Sequence, residues 1–335
     1  MPAITVRNLT KTYRVPAREP GLKAALSSLV HRTYREVEAV RDISFDVGPG
    51  EMIGFIGPNG AGKTTTLKML SGLLYPTSGE VRAIGFVPWE READYLRRIS
   101  MVLGNKSQML WDIPPLDSFR VLSEIYNVPP KDSQQTLDEL VALLEMEELL
   151  TKPVRNFSLG ERMKCELVAG LLHRPDILFL DEPTLGLDVS MQGRLRRFLV
   201  EYNRRHEVTA MITSHYMADV VALCPRVILI HHGELLYDGK LGGLAHRLAP
   251  FKLIRISLAN GRYAGDEALP LPAGAEIIER DGGQVTLRVG REAAPQTTAH
   301  LLHTLPIVDL AVEDPPIEAV IDQIYQNGEV VGDAT

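Results

Sequence analysis

The sequence predicts an α/β fold, and three features of its pattern indicate this class. An apolar run at residues 52–56 enters a glycine-rich loop, after which residues 66–70 have helical character. A second apolar run, at residues 177–180, ends on two acidic residues. Alternating apolar and polar residues at 3–7 and 43–47 are typical of half-buried strands. We therefore expect an α/β core joined to antiparallel strands near the N-terminus.

The composition limits the number of domains and the class of partner. A chain of 335 residues with 45% hydrophobic residues favours about two domains, each with a core of its own. The formal net charge of −7 argues against a nucleic-acid partner held mainly by bulk electrostatics. We therefore expect no nucleic acid among the partners of this chain.

Cysteine usage and hydropathy indicate the compartment. Cys165 and Cys224 lie in apolar segments, with no further cysteine or histidine at ligand spacing. This argues against a disulfide framework and a zinc site, and it suits a reducing cytosol. The sequence has no signal peptide and no uninterrupted apolar run of about 18 residues. We expect a soluble chain without its own transmembrane span, so that any membrane part must belong to another chain.

The glycine-rich loop is the most informative stretch. It consists of Gly57, Pro58, Asn59, Gly60, Ala61, Gly62, Lys63 and Thr64, with Thr65 behind it. These residues fit G-x-x-x-x-G-K-[ST] at every fixed position, between a strand-like and a helix-like run. Backbone N–H groups and the helix N-terminus would face a phosphate, Lys63 would reach the β and γ phosphates, and Thr64 would hold Mg²⁺. A dinucleotide fingerprint does not fit, because its third glycine would fall on Thr65.

The N-terminal region predicts strands at residues 3–7 and 11–15, separated by a turn. Tyr13, near the end of the second strand, could either pack or stack on a ligand. Residues 16–20 read as a loop, and apolar residues from 22 to 37 recur at three- and four-residue spacing, which predicts an amphipathic helix. That helix could pack on the sheet, or it could rest on a membrane surface or a partner.

Further elements follow along the chain. A strand candidate at 97–103 leads into a polar loop, and residues 117–150 are largely helical in pattern. Ser158 is a natural N-cap for a helix that runs to Leu172. Residues 208–215 predict another strand, which ends on His215.

Two carboxylates end the apolar strand at 177–180. Asp181 and Glu182 would lie at the carboxyl edge of the sheet, where open α/β folds bind their ligands. One acid can complete a Mg²⁺ shell, while its neighbour accepts a proton from the water that attacks the γ-phosphate. Asp188 follows after a short loop.

In this chain order, the motifs resemble those of the ATP-binding-cassette (ABC) ATPases, the nucleotide-binding subunits of bacterial ABC exporters, over about residues 3–240. The resemblance implies ATP and Mg²⁺ as ligands, with Asp181 and Thr64 at the metal. It implies Glu182 as general base, with His215 and Lys63 also in the catalytic set. It further implies that Asp188 communicates across a dimer and that Tyr13 stacks on adenine.

Residues 157–161, Phe-Ser-Leu-Gly-Glu, resemble the family signature, Leu-Ser-Gly-Gly-Gln, and depart from it in places. Ser158 and Gly160 match the positions that bind phosphate, whereas Leu159 and Glu161 differ from the signature, and Glu161 adds negative charge near an anion. In this family the signature helix faces the γ-phosphate held by the other subunit. The resemblance therefore implies a homodimer that sandwiches ATP.

The family also has a glutamine, which senses Mg²⁺ and couples to the permease, after the strand that ends here near Leu103. Ungapped comparison places Asn105 at that position, one methylene short, and Gln108 three residues later is the alternative.

The pattern changes after about residue 240. Strands are predicted at 252–258, 275–280 and 284–289, and helices at 299–305 and 317–325. We therefore expect two domains. The first is an ABC nucleotide-binding domain at 1–240, with an inserted helix at 16–38 and a helical subdomain at about 105–172. The second is a small α+β domain at 241–335, for which the resemblance implies a regulatory or dimerisation role.

The functional expectation is an ATP-hydrolysing subunit that powers a separate membrane permease for export, peripherally bound at the cytoplasmic face of the cell membrane. Two alternatives remain open. One is the ATPase subunit of an ABC importer, and the other is a soluble, non-transport ABC ATPase that acts on nucleic acid or ribosomes.

Overall fold

The computed structural model describes residues 1–16, 34–104, 106–214, 216–243, 251–259, 269–315 and 320. The chain divides into two compact units, Met1–Gly239 and Lys240–Thr335. Each unit has its own sheet structure and its own buried apolar cluster.

The first unit contains the phosphate-binding motif. Its strands are β1 (Ile4–Pro16), β2 (Tyr34–Val47), β3 (Met52–Ile56), β4 (Ser78–Ala83), β5 (Ile99–Leu103), β6 (Ile177–Asp181), β7 (Thr209–Thr213), β8 (Arg226–His231) and β9 (Glu234–Lys240). Its helices are α1 (Lys63–Leu70), α2 (Ala93–Leu96), α3 (Pro115–Ile125), α4 (Pro130–Leu144), α5 (Leu159–Leu171), α6 (Val189–His206) and α7 (Met217–Leu223). Short 3-10 helices occur at Pro88–Glu90, Glu147–Leu149 and Val154–Asn156.

The central sheet has the order β5-β6-β7-β3-β8-β9. Its β5–β6, β6–β7, β7–β3 and β3–β8 pairs are parallel. The segments that follow β3, β5, β6 and β7 therefore leave the sheet at one edge. This confirms the predicted α/β core, and it brings the phosphate loop, Gly104, Glu182 and Ser214 to the same side of the fold.

A second sheet, in the order β2-β1-β4, is antiparallel throughout. Its apolar face and the central sheet share one buried cluster, in which the rings of Phe45 and Phe55 lie 6.0 Å apart. Burying an aromatic or branched apolar side chain stabilises a fold by roughly 1.5–3 kcal/mol, so this cluster is a strong tie between the two sheets.

Two predictions for the N-terminal region are wrong. The strands expected at 3–7 and 11–15 form one continuous β1, with register shifts between Val6 and Thr12 and a positive φ of 49° at Asn8. The expected turn is thus an irregularity within a strand. The helix predicted up to residue 37 is also wrong at its end, because residues 34–37 belong to β2 and pair with β1. Residues 17–33 lie outside the described part of the chain.

The region between β5 and β6 is helical, as predicted. The helices α3 and α4 are separated at Asn127, whose φ of 54° cannot continue a helix, and α4 begins at the proline of residue 130. The helix α5 follows Ser158, as the N-cap prediction requires. None of the helices in the described part of the chain combines the length and apolar character needed to cross a bilayer.

The second unit contains β10 (Phe251–Leu258), β11 (Ala275–Asp281), β12 (Gln284–Gly290), α8 (Ala294–Thr304) and β13 (Ile307–Glu313). Its antiparallel sheet has the order β11-β12-β10-β13, and α8 contributes Leu301 to the buried cluster. The helix α8 begins five residues before the predicted start, and β13 was not predicted. The helix predicted at 317–325 lies outside the described residues apart from Val320.

Candidate nucleotide-binding site

The phosphate loop has a backbone that glycine makes possible. Gly62, the residue before α1, has φ 108°, and a Cβ there would clash with the Ala39 carbonyl oxygen. A Cβ on Gly57 would likewise clash with the carbonyl oxygen of Ile230 in β8. The N–H of Gly233 donates to the Ala61 carbonyl at 3.1 Å. The loop is therefore held against its neighbours before any ligand acts on it.

Lys63 opens α1 and is 5% exposed. Its Nζ donates to the carbonyl oxygens of Gly57, at 2.6 Å, and of Pro58, at 3.0 Å, so the ammonium group lies inside the curve of the loop. Burial lowers the pKa of Lys63, and the charges of Glu182 and Asp181 act in the opposite direction. A buried ammonium group with two neutral partners is well suited to meet a phosphate anion.

Asp181, at the end of β6, receives hydrogen bonds from two threonines. The Thr64 hydroxyl donates to its carboxylate at 2.8 and 3.1 Å, and the Thr213 hydroxyl donates to Oδ1 at 2.7 Å. The sequence analysis missed Thr213, although its place at the end of a predicted strand was the available signal. The parallel β6–β7 register pairs the two residues directly.

Glu182 follows at once, in an unusual backbone conformation. Its φ is 54°, and its N–H contacts both the carbonyl oxygen and the hydroxyl of Thr213, at 3.1 and 3.0 Å. A left-handed φ is costly for a residue other than glycine, and such strain clusters at functional sites. Gly104 donates its N–H to the Asp181 carbonyl at 2.9 Å, and a Cβ on Gly104 would clash with the Glu182 carbonyl. The turn that orients Glu182 is thus clamped from both neighbouring strands.

The donor atoms around Asp181 fit Mg²⁺. The Thr64 hydroxyl and the Asp181 carboxylate lie in hydrogen-bond contact at the start of α1, and both are oxygen donors. Mg²⁺ prefers oxygen ligands, and in phosphate sites it takes one or two from the protein and the remainder from water and phosphate. An incomplete protein ligand set of this kind is what a nucleotide-bound Mg²⁺ requires.

A buried network supports the next turn, and the sequence analysis did not identify it. Asp219 in α7 is 1% exposed; it accepts hydrogen bonds from the hydroxyls of Thr184 and Ser214 and pairs with Arg196 at 2.9 Å. Ser214 also contacts the N–H and carbonyl of Tyr216. The residues on both sides of position 215 are therefore anchored. His215 itself lies outside the described residues, as does Asn105.

Tyr13 lies on β1, opposite Val37 of β2, and its side chain is 37% exposed. The Nζ of Lys11 lies 5.3 Å from the centre of its ring. The ring therefore has an accessible surface on a rigid strand, as a stacking platform needs.

The signature residues form a capped helix start. The Ser158 hydroxyl accepts from the N–H of Glu161 at 3.3 Å, and the Glu161 carboxylate accepts from the N–H and the hydroxyl of Ser158, each at 2.8 Å. This reciprocal capping box explains why glutamate is compatible with this position. The two hydrogen bonds from Ser158 lower the pKa of Glu161, so its carboxylate stays charged.

Gly160 and Asp188 both lie next to Met191, in the first turn of α6. A Cβ on Gly160 would come within 2.9 Å of the Met191 side chain, and Asp188 caps α6 by accepting from the Met191 N–H at 2.9 Å. Seven of the predicted site residues thus fall into two local groups. One comprises Lys63, Thr64, Asp181 and Glu182 at the sheet edge, and the other comprises Ser158, Gly160 and Asp188 around the starts of α5 and α6.

Gln108 lies on the segment after β5 and is exposed. Its side-chain amide donates to the Met101 carbonyl at 3.4 Å, and its backbone N–H donates to the carboxylate of Glu166 in α5 at 3.0 Å. The sequence analysis did not predict a role for Glu166.

Comparison with known proteins identifies the family. The ABC transporter family model matches residues 40–185, and the model of the EvrA-like ABC transporter C-terminal domain matches residues 250–313. The ABC transporter ATP-binding protein NatA of Bacillus subtilis is 34% identical over 208 residues, which are 62% of this chain and 84% of NatA. This chain belongs to the ABC transporter ATP-binding proteins. It is therefore the ATP-binding and ATP-hydrolysing subunit of an ABC transporter, as the sequence predicted.

Other relatives of this ABC protein cover different lengths of it. The linearmycin resistance ATP-binding protein LnrL of Bacillus subtilis is 26% identical over 86% of this chain and 94% of its own length. The bacitracin transport ATP-binding protein BcrA of Bacillus licheniformis is 31% identical over 62% of this chain and 66% of its own. The match to LnrL thus extends beyond the length that NatA and BcrA cover.

Solved structures share the fold of this ABC protein. An ATP-binding subunit of an ABC transporter aligns with a TM-score of 0.61 and 22% identity over 73% of this chain and 92% of its own. A dimeric ATP-binding cassette bound to ADP and Pi aligns with a TM-score of 0.58 and 21% identity over 71% and 98%. At these identities the likeness establishes the ABC ATPase fold.

Proposed function

We propose that two copies of this chain bind ATP between them, hydrolyse it and thereby drive export through a separate membrane permease, at the cytoplasmic face of the cell membrane. The observation that carries the proposal is the group formed by Lys63, Thr64, Asp181 and Glu182, which collects a phosphate-seeking cation, a metal-binding oxygen pair and a candidate base at one sheet edge.

Each residue of this group has a distinct part in the proposed reaction. The loop N–H groups and the start of α1 bind the phosphates, and Lys63 exchanges its two carbonyl partners for phosphate oxygens. Thr64 and Asp181 would hold Mg²⁺, which neutralises phosphate charge when bound. Glu182 accepts the proton of the attacking water, and its clamped turn holds the backbone from which that carboxylate extends.

Three further residues complete the site in this proposal. Tyr13 stacks on the adenine through its exposed ring face. His215 contacts the γ-phosphate, from a segment that Ser214 anchors on Asp219. Asn105 meets the Mg²⁺ shell after β5, with Gln108 as the alternative.

The second copy closes the site. Ser158 and Gly160 at the start of α5 would face the γ-phosphate held by the partner, where the helix N-terminus favours an anion. Asp188, beside them, would carry the signal between the two sites. Two phosphate sites at the interface would make ATP a link between the copies, and hydrolysis would release that link.

Two regions outside the site have proposed roles. The unit after residue 240 would serve regulation or dimerisation, which its independent core and sheet support. The inserted segment at 16–38, whose end forms part of the exposed β1–β2 hairpin, would contact a membrane or a partner.

The export direction is supported by the names of two relatives, one a linearmycin resistance protein and the other a bacitracin transport protein. The competing proposal is an importer, and a neighbouring gene for a periplasmic binding protein would favour it. A neighbouring gene for a permease with about six apolar spans would favour export.

The test is Glu182→Gln. It removes the base and keeps the shape of the side chain, so ATP hydrolysis should fall at least about a hundredfold while ATP binding persists. Size-exclusion chromatography with ATP and Mg²⁺ should then show a stable dimer. Turnover within about tenfold of the unaltered chain would remove Glu182 from the role of base.

A further inference from the structure

A buried carboxylate outside the nucleotide site, that of Glu166, links helix α5 to the segment after β5. Glu166 lies in the interior of α5 and is 4% exposed. A buried carboxylate is costly unless hydrogen bonds compensate it. Its partners all come from the segment after β5: the Ser107 hydroxyl donates to Oε1 at 2.5 Å, and the Gln108 N–H donates to both oxygens at 3.0 Å.

The hydrogen bonds continue along the same segment. The Ser107 hydroxyl also accepts from the Met109 N–H at 3.1 Å. Through the Ser107 hydroxyl, Glu166 is therefore also linked to the backbone amide of Met109. Three successive residues of the segment are fixed, directly or through one atom, to a single side chain of α5.

A second contact joins the same two elements. Arg162 stands four residues before Glu166, and residues at this spacing share a helix face. Its guanidinium carbon lies 4.8 Å from the ring centre of Trp111, whose side chain is 49% exposed. The Nε of Arg162 donates to the carbonyl of Phe157, the residue before Ser158, at 3.1 Å. We call the contacts of Arg162 and Glu166 with residues 107–111 the α5–loop contact.

Only a few contacts separate the exposed residues of the segment 107–111 from the start of α5. Trp111 and Gln108 lie at the surface, and Arg162 and Glu166 hold them to α5. The rigid first turn of α5 then leads to Ser158, whose cap is closed by Glu161. A displacement of the segment would thus displace the signature residues as well.

We propose that Glu166, assisted by Arg162, is a positioning residue that makes residues 107–111 and the start of α5 move as one body. This rests on the proposed function, in which Ser158 closes over the γ-phosphate of a second copy. Binding of ATP at Ser158 would then also slow exchange in residues 107–111, and this response would depend on Glu166.

Hydrogen exchange tests this on the full chain, in a Glu182→Gln background that retains ATP. Peptides covering residues 106–111 and 157–162 are followed with and without ATP and Mg²⁺. With Glu166 intact, ATP should slow exchange in both segments. In Glu166→Ala, ATP should still slow exchange at 157–162, whereas its effect at 106–111 should shrink about tenfold.

Two variants and one control sharpen the result. Glu166→Gln keeps one carbonyl acceptor and should restore part of the response at 106–111. Ser107→Ala changes an exposed residue on the other side of the contact and leaves the hydrogen bonds from the Gln108 N–H in place, so it should reproduce part of the effect of Glu166→Ala even where the latter folds poorly. Glu124→Ala removes an exposed carboxylate from α3 and should leave both responses unchanged.

Steady-state kinetics of the chain with an intact Glu182 give a readout beyond stability. Glu166→Ala should lower kcat about fivefold and change KM for ATP less than about twofold, because the phosphate loop is untouched. An unaltered ATP response at 106–111 in both Glu166→Ala and Ser107→Ala would overturn the inference alone. No response in either segment with Glu166 intact would overturn the proposed dimer as well.

Discussion

The phosphate loop and the start of the signature helix are the two regions for which phosphate binding is proposed, and they are built in opposite ways. The loop is shaped by backbone: glycines at 57 and 62 sit where a side chain would clash, and Lys63 is buried. The start of α5 is shaped by side chains, because Ser158 and Glu161 satisfy each other's hydrogen bonds at an exposed position.

The two regions would therefore bind an anion under different conditions. The loop backbone packs on β8 without any ligand, but Lys63 must leave the Gly57 and Pro58 carbonyls before its ammonium group can meet a phosphate. The start of α5 must give up the hydrogen bond from the Ser158 hydroxyl to Glu161 before that hydroxyl can bind an anion. In the proposed dimer, phosphate binding therefore replaces hydrogen bonds in both regions: those of Lys63 to backbone carbonyls at the loop, and that of the Ser158 hydroxyl to Glu161 at the signature.

The largest loss of stability and of ATP affinity is expected from a substitution in the phosphate loop. Gly62→Ala adds a clash with the Ala39 carbonyl to a left-handed backbone, and it should cost roughly 2–4 kcal/mol of stability and most ATP affinity. Gly60→Ala is the matched control, since its φ is 81° and open space surrounds its Cβ position. It should cost about 1 kcal/mol. Thermal unfolding and equilibrium ATP binding check both, and equal losses in the two variants would contradict the packing argument.

An intermediate effect is expected on the signature side. Ser158→Ala removes the cap hydroxyl, which should cost about 1 kcal/mol of stability. ATP affinity of the single chain should change less than about twofold, while ATP-driven dimerisation in a Glu182→Gln background should weaken at least about tenfold. Titration of chain concentration in analytical ultracentrifugation measures this. A dimer as tight as before would remove Ser158 from the interface.

The smallest change in stability and dimerisation is expected from Glu161→Gln, at the signature. Glu161→Gln keeps an acceptor for the capping box and removes a negative charge, so stability should change by about 0.5 kcal/mol or less. ATP-driven dimerisation in a Glu182→Gln background should tighten about two- to fivefold, and the same ultracentrifugation measures it. A weaker dimer would mean that the carboxylate assists phosphate binding.

The contribution of the Glu161 carboxylate to folding stability should decrease at low pH. Because the hydrogen bonds from Ser158 lower the pKa of Glu161, its charged form stabilises the folded chain above the unfolded value of about 4.5. That contribution is lost as the pH falls through the lower folded value. Denaturant unfolding should therefore show the difference between the unaltered chain and Glu161→Gln narrowing below about pH 4.5.

Local patterns allowed much of the fold to be predicted, and failed where contacts between distant segments decide. The strand–loop–helix around Lys63, the strand that ends at Asp181 and the cap at Ser158 follow from short-range spacing, and each is present. The helix predicted as far as residue 37 failed at its end, because pairing with β1 outweighs the helical period there. Strand β13 was missed because none of its residues is fully buried, so its sequence has no clear apolar pattern, and it is held by pairing with β10.

The residues of the candidate site also separate into those that a local sequence pattern predicted and those that it did not. Thr64, Asp181 and Glu182 were predictable because each ends or begins an element with a clear pattern. The roles of Thr213 and Gly104 depend on the strand order β5-β6-β7, which no single segment specifies, although the place of Thr213 near the end of a predicted strand was a signal. The role of Asp219 depends on Thr184, Arg196 and Ser214, which the fold brings to it from other segments.

The motifs on which the proposed chemistry rests can be read from the sequence: a phosphate loop, a carboxylate pair and a serine at the signature position, since motifs of this kind depend on residue type and short spacing. Tertiary structure alone decided how these parts are held. Parallel pairing placed Thr213 on Asp181, and the packing of the 107–111 segment on α5 gave a buried carboxylate, Glu166, its partners. The physical reason is that burial and hydrogen bonding between distant segments arise only when the sheet has assembled.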